Sequence, residues 1–79
     1  MIATHTRMNR LRAVIGADRL RLDFDPDALS DADTVSLLDF VYSFAFNPKY
    51  AEEVRRGFCL KNAGWQARLW DGELVISRP

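Results

Sequence analysis

The C-terminal stretch "GWQARLWDGELVISR", residues 64–78, constrains the fold more than any other part of this chain. Asp71-Gly72 sits between two runs of alternating apolar and polar residues, the strongest local sign of a β-hairpin. A two-residue loop fixes the register. It sets Trp70 against Glu73, Leu69 against Leu74, Arg68 against Val75 and Ala67 against Ile76. One face then carries Trp65, Ala67, Leu69, Leu74 and Ile76 and must be the core face. The other carries Gln66, Arg68, Trp70, Glu73, Val75 and Ser77.

The stretch "RLRAVIGADRLRLDF" supports the same reasoning at the N-terminal end. A type II′ turn at Gly16-Ala17 pairs Ile15 with Asp18 and carries the register out to Leu11 against Leu22. Leu11, Ala13, Ile15, Leu20 and Leu22 then share one side, and Arg10, Arg12, Val14, Arg19 and Arg21 the other. A three-residue loop would mix the two faces, so the two-residue loop is preferred. Residues 2–7 extend the first strand only weakly.

Between these hairpins, "SDADTVSLLDFVYSFAFNP" reads as a helix. Ser30 or Asp31 caps its start, and early aspartates suit the positive end of the helix dipole. Leu37, Leu38, Val41, Phe44 and Ala45 form an apolar stripe, with Phe40 and Tyr42 flanking it. A helix so apolar is expected to lie in the concave face of a curved sheet. Asn47-Pro48 ends it. "NPKYAEEVRRGFCLKN" accommodates either a short second helix ending at Gly57 or a further strand. One helical turn over 49–55 and a strand over 57–61, joined to the hairpin through Asn62-Ala63-Gly64, is the preferred division. The expected order is β-β-α-β-β-β: an α+β fold with an antiparallel sheet of about five strands packed around one main helix.

Seventy-nine residues make a single domain, 1–79, burying only about 60–65% of its unfolded surface. Its single cysteine, Cys59, allows no internal disulfide, which suits a reducing compartment. "AVIGA" is too short for a signal sequence core, and "FVYSFAF" is far below membrane-spanning length. A cytoplasmic, monomeric protein with no membrane association is expected. Net charge is zero but segregated. Residues 1–22 carry five arginines and one aspartate, and residues 23–39 carry six aspartates and no base. Such a balance argues against direct nucleic-acid binding, which usually needs a basic domain.

Three constellations invite a functional reading. "DFDPDALSDAD", residues 23–33, places five aspartates in eleven positions. Asp23, Asp25 and Asp27 match the start of a calcium loop, but Ala28 stands where glycine is required, Thr34 where glutamate is required, and Pro26 interrupts. Turn formation and helix capping account for Ser30, Asp31 and Asp33. Asp25, Asp27 and Asp31 remain candidates for an acidic patch facing a basic partner. The second constellation is Arg10, Arg12, Arg19 and Arg21. In the hairpin register Arg12 opposes Arg21, a like-charge pairing that costs up to about 1 kcal/mol and that local stability does not explain. Arginine forks suit carboxylates and phosphates. The third is Trp70, beside Arg68 on the outer hairpin face, a residue type enriched at interfaces. Cys59 reads as a small buried residue, and no motif joins it to His5 for catalysis or metal binding. No cofactor, metal or catalytic site is expected.

A tiny α+β chain with segregated charge, no catalytic motif and the order β-β-α-β-β-β resembles the phage-encoded anti-CRISPR proteins, in particular inhibitors of type I surveillance complexes. The resemblance spans the whole chain in size and style, involves no shared motif and carries over no individual residue. It implies a non-catalytic inhibitor in the host bacterial cytoplasm that binds a larger ribonucleoprotein complex, Cascade, and obstructs target DNA. Either the aspartates fill a lysine-lined groove or the arginines grip an acidic surface. The partner-binding candidates are Arg10, Arg12, Arg19, Arg21, Asp25, Asp27, Asp31, Arg68 and Trp70. The alternatives are a nucleic-acid module built on the arginine-rich hairpin and an enzyme or metal protein using the aspartates.

Overall fold

A computed structural model describes the backbone of residues 2–78 and the side chains of residues 5–78. The elements run α1 (Ile2–Ile15), β1 (Arg19–Leu22), a 3-10 turn (Pro26–Ala28), α2 (Asp31–Phe46), α3 (Pro48–Arg55), β2 (Leu60–Asn62), β3 (Trp65–Trp70) and β4 (Glu73–Ser77). The class is α+β as expected. The sheet has four strands rather than five, in the order β1-β4-β3-β2, and it is mixed.

The C-terminal hairpin has the register read from its sequence, from Ala67 against Ile76 to Trp70 against Glu73. Asp71 and Gly72 both have positive φ, 51° and 75°, as a type I′ turn demands. β2 joins β3 through the same kind of turn at Ala63-Gly64, with φ of 53° and 82°. Leu60 then opposes Ala67 and Asn62 opposes Trp65. β2 begins at Leu60, later than the expected strand over 57–61.

The N-terminal hairpin does not form. Residues 2–15 are one helix, and β1 pairs parallel with β4, Arg19 against Glu73 through Leu22 against Ile76. The order β-β-α-β-β-β is therefore replaced by α-β-α-α-β-β-β, and that part of the likeness to anti-CRISPR proteins is lost. The physical reason is a conflict of periods. Leu11, Ala13 and Ile15 alternate like a strand, but Met8, Leu11 and Ile15 are spaced like a helix stripe. The helix buries those last three and leaves Ala13 exposed. Gly16 does not head a hairpin turn. It ends α1 at φ 84°, with Ala17 N–H bonding the Arg12 carbonyl at 3.0 Å and Gly16 N–H bonding the Ala13 carbonyl at 3.1 Å. This is the paired hydrogen-bond pattern of a Schellman cap.

α2 begins at Ser30, whose hydroxyl accepts from Asp33 N–H at 3.1 Å. Its buried stripe is Leu37, Phe40, Val41 and Phe44. Phe40 belongs to the centre of that stripe, being fully buried, whereas Ala45 is exposed. α3 is the short helix admitted by the sequence; Gly57, at φ 95°, ends it through a second Schellman cap, Phe58 N–H to the Glu53 carbonyl. α1 packs on β1, α3 packs on β2 and β3, and α2 packs across α1 and α3. Met8, Leu37, Phe40, Val54, Leu74 and Ile76 are the largest fully buried side chains of the core. The helices thus occupy one face of the sheet, and the main helix does not nestle alone against a curved sheet.

Candidate docking surface

Because the helices pack on the face holding Leu60, Trp65, Ala67, Leu74 and Ile76, no element of the described residues covers the opposite face. Strand alternation decides what stands there. Three rows cross the strands. The first joins Arg19, Glu73 and Trp70; the second Arg21, Val75 and Arg68; the third Ser77, Gln66 and Lys61. The third is tied by a hydrogen bond from Gln66 Nε2 to Ser77 Oγ at 2.9 Å. Val75 is only 2% exposed on this bare face. Its register neighbours are Arg21 and Arg68, whose aliphatic stems are long enough to cover it while their charged ends stay in water.

The electrostatics are uneven. Glu73, well sheltered, lies 3.6 Å from Arg19 Nε and 4.0 Å from Arg21. Arg21 Nε also meets Asp23 at 2.7 Å, and Arg19 donates to the Asp71 carbonyl at 3.0 Å. Arg19 and Arg21 are therefore held in place by the protein itself. Arg68 and Lys61 are exposed and have no ion pair among the described residues. Trp70 is 67% exposed at the corner of this face. The surface consists of a large aromatic, two guanidiniums oriented by Glu73 and Asp23, and two further cations with no ion pair among the described residues.

The structure unites four of the nine candidates, Arg19, Arg21, Arg68 and Trp70, and separates the rest. Arg10 and Arg12 lie on α1, not across from β1. Arg12 donates from Nε to Asn9 Oδ1 and from Nη1 to the Ala17 carbonyl, both at 2.8 Å, so it supports the end of α1. Arg10 is exposed beside the α1–α2 groove. Asp25 caps the 3-10 turn by accepting from Asp27 N–H at 3.0 Å. That gives Asp25 a local role the sequence did not reveal. Asp31 opens α2, where its charge meets the positive end of the helix dipole. Asp27 and Asp31 are exposed and stand off the open sheet face. Lys61 was missed, though its place follows once Ala63-Gly64 is read as a two-residue turn. Cys59 is exposed rather than buried, with Sγ 3.8 Å from Gln66 Oε1.

Among the described residues, no group of three or more histidine, cysteine, aspartate or glutamate side chains is arranged to hold a metal ion. No helix of the described residues is long and apolar enough to cross a membrane. Comparisons of the chain with protein-family models, with curated proteins and with solved structures returned no match.

Proposed function

We propose that this chain is a small non-catalytic binding protein that works by occupying a surface on a larger partner, with the open sheet face as its docking surface. One observation carries the reading: Trp70 stands largely in water next to Arg68, with Arg19 and Arg21 across β4 on the same sheet face, which no helix of the described residues covers. A tryptophan left exposed in so small a protein contributes little to folding. Trp and Arg are the residue types that dominate binding energy at protein interfaces. Ion pairs already orient Arg19 and Arg21, so less side-chain freedom is lost on association. Unpaired Arg68 and Lys61 favour an acidic surface on the partner.

The narrower form of this proposal is an anti-CRISPR inhibitor that binds a type I Cascade complex and blocks target DNA. Chain size and segregated charge support it; element order no longer does. The alternative of a nucleic-acid module loses the arginine hairpin on which it was built, because that hairpin is absent. Co-purification with an assembled type I Cascade, run beside a gel shift with single- and double-stranded DNA at moderate salt, tests the proposal. Retention by Cascade with no shift of either DNA is expected. A shift of free DNA without Cascade binding would replace it with a nucleic-acid function.

A further inference from the structure

A second surface lies on the other layer of the molecule. α1 and α2 leave a groove of about 240 Å³ between them. That is below the ~300–1,000 Å³ of sites that enclose small molecules, but it has room for anchoring side chains. Buried Leu11 and Phe44 floor the groove, and Val14, Tyr42 and Ala45 wall it. Val14 is 60% exposed although it belongs to the same helix that supplies Met8, Leu11 and Ile15 to the core. Neighbouring exposed apolar residues of this kind mark contact surfaces.

The charge around the groove has one sign. Arg7 and Arg10 stand on its rim, and among the described residues no acidic side chain lines it. The Arg7 guanidinium lies over the Tyr42 ring, 4.8 Å from its centroid. Arg55 reaches from α3 to donate to the Val14 carbonyl at 2.9 Å, at the C-terminal end of α1. An apolar channel between two helices, edged by arginines, complements one kind of occupant.

We infer that this groove docks an amphipathic helix of a partner, its apolar stripe seated on Val14, Tyr42 and Ala45 and its flanking acidic residues paired with Arg7 and Arg10. The site is separate from the open sheet face, so the protein can hold two partners, or two parts of one partner, at once. The inference does not depend on what the sheet face binds.

The test is an NMR titration of the labelled protein with a designed leucine/glutamate amphipathic helix, and with the same peptide carrying lysine at each glutamate. Saturable shifts of the Val14, Tyr42 and Ala45 amides are expected with the acidic peptide, and affinity at least about tenfold weaker with the basic one. Val14→Glu should abolish the shifts while leaving the circular dichroism and melting curve unchanged. Arg10→Glu, at an exposed position, should weaken binding in the same direction and serves if Val14→Glu perturbs folding. Equal binding of both peptides, or shifts confined to the sheet face, would overturn the inference. So would concentration-dependent shifts at these amides without peptide, which would make a second copy the occupant.

Discussion

Arg78 donates to Asp33 Oδ2 at 2.9 Å while its guanidinium lies over the Trp65 indole, 4.5 Å from the ring centroid. Trp65 is buried, packs edge-on against Phe24 and donates from Nε1 to Ser36 Oγ at 3.2 Å. The end of β4, the start of α2 and the first residue of β3 are joined through these contacts. The hydrogen bond from Arg78 holds the Asp33 carboxyl below its ordinary value of 3.8; desolvation opposes it, and the Ser30 hydrogen bond and the Arg78 charge add to the lowering. The folded state therefore binds this proton less readily than the unfolded chain. The pair's contribution is complete above the ordinary value and is lost as pH falls through the lower folded one. Asp33→Asn should lower the melting temperature slightly at neutral pH, and the gap from wild type should close in acid. A gap that persists unchanged below pH 3.8 would contradict the assignment.

Ala63 has φ 53° in the β2–β3 turn, a conformation that favours asparagine and glycine over alanine. Ala63→Asn should stabilise the protein by about 0.5–1 kcal/mol, because it makes the turn Asn-Gly and relieves left-handed strain. The Ser36 hydroxyl bonds the Ala63 carbonyl, a backbone group the substitution leaves in place. Urea unfolding measures the change; a loss of stability would contradict it.

Glu73 partly neutralises Arg19 and Arg21 on the open face. Glu73→Gln should cost at most about 1 kcal/mol, since both arginines are well exposed. It should make the face a stronger cation surface and move elution from a heparin column to higher salt. Unchanged elution would show that these arginines do not present their charge outward.

Met8 is fully buried in α1. Met8→Ala should cost about 2–5 kcal/mol, the range for truncating a packed core side chain. A loss well below 1 kcal/mol would mean that α1 is not packed on the core in this way.

The parts of this fold legible in the sequence are those where independent local signals agree. At Asp71-Gly72, turn chemistry and period-two alternation point to one register, and the structure has it. At α2, Ser30 and the apolar spacing agree as well, although the stripe centre falls on Phe40 rather than beside it. "LRAVIGADRLRL" satisfies two periods at once, so local pattern could not decide between hairpin and helix. What decides is the distant partner: β1 pairs with β4, a parallel contact that leaves no mark in either strand's own neighbourhood. The same limit applies to the docking surface. Arg19, Arg21, Arg68 and Trp70 were legible because strand alternation fixes their direction. Arg10 and Arg12 were misplaced with the hairpin. Asp25 lacked an evident role because a 3-10 cap depends on the backbone path after Asp25-Pro26.

Trp70 and Arg68 are exposed on the bare face, so replacing them should cost at most about 1 kcal/mol of folding stability, mainly through the cover that the Arg68 stem gives Val75. That separates binding from folding and makes one measurement decisive: retention by type I Cascade of wild type, of the double variant Trp70→Ala with Arg68→Glu, and of Lys49→Ala, exposed on α3 away from both surfaces, as a control. The account predicts that wild type is retained, that the double variant is lost while it still melts cooperatively well above the assay temperature, and that the control is retained. Failure of wild type to associate, or retention of the double variant at the wild-type level, would contradict it.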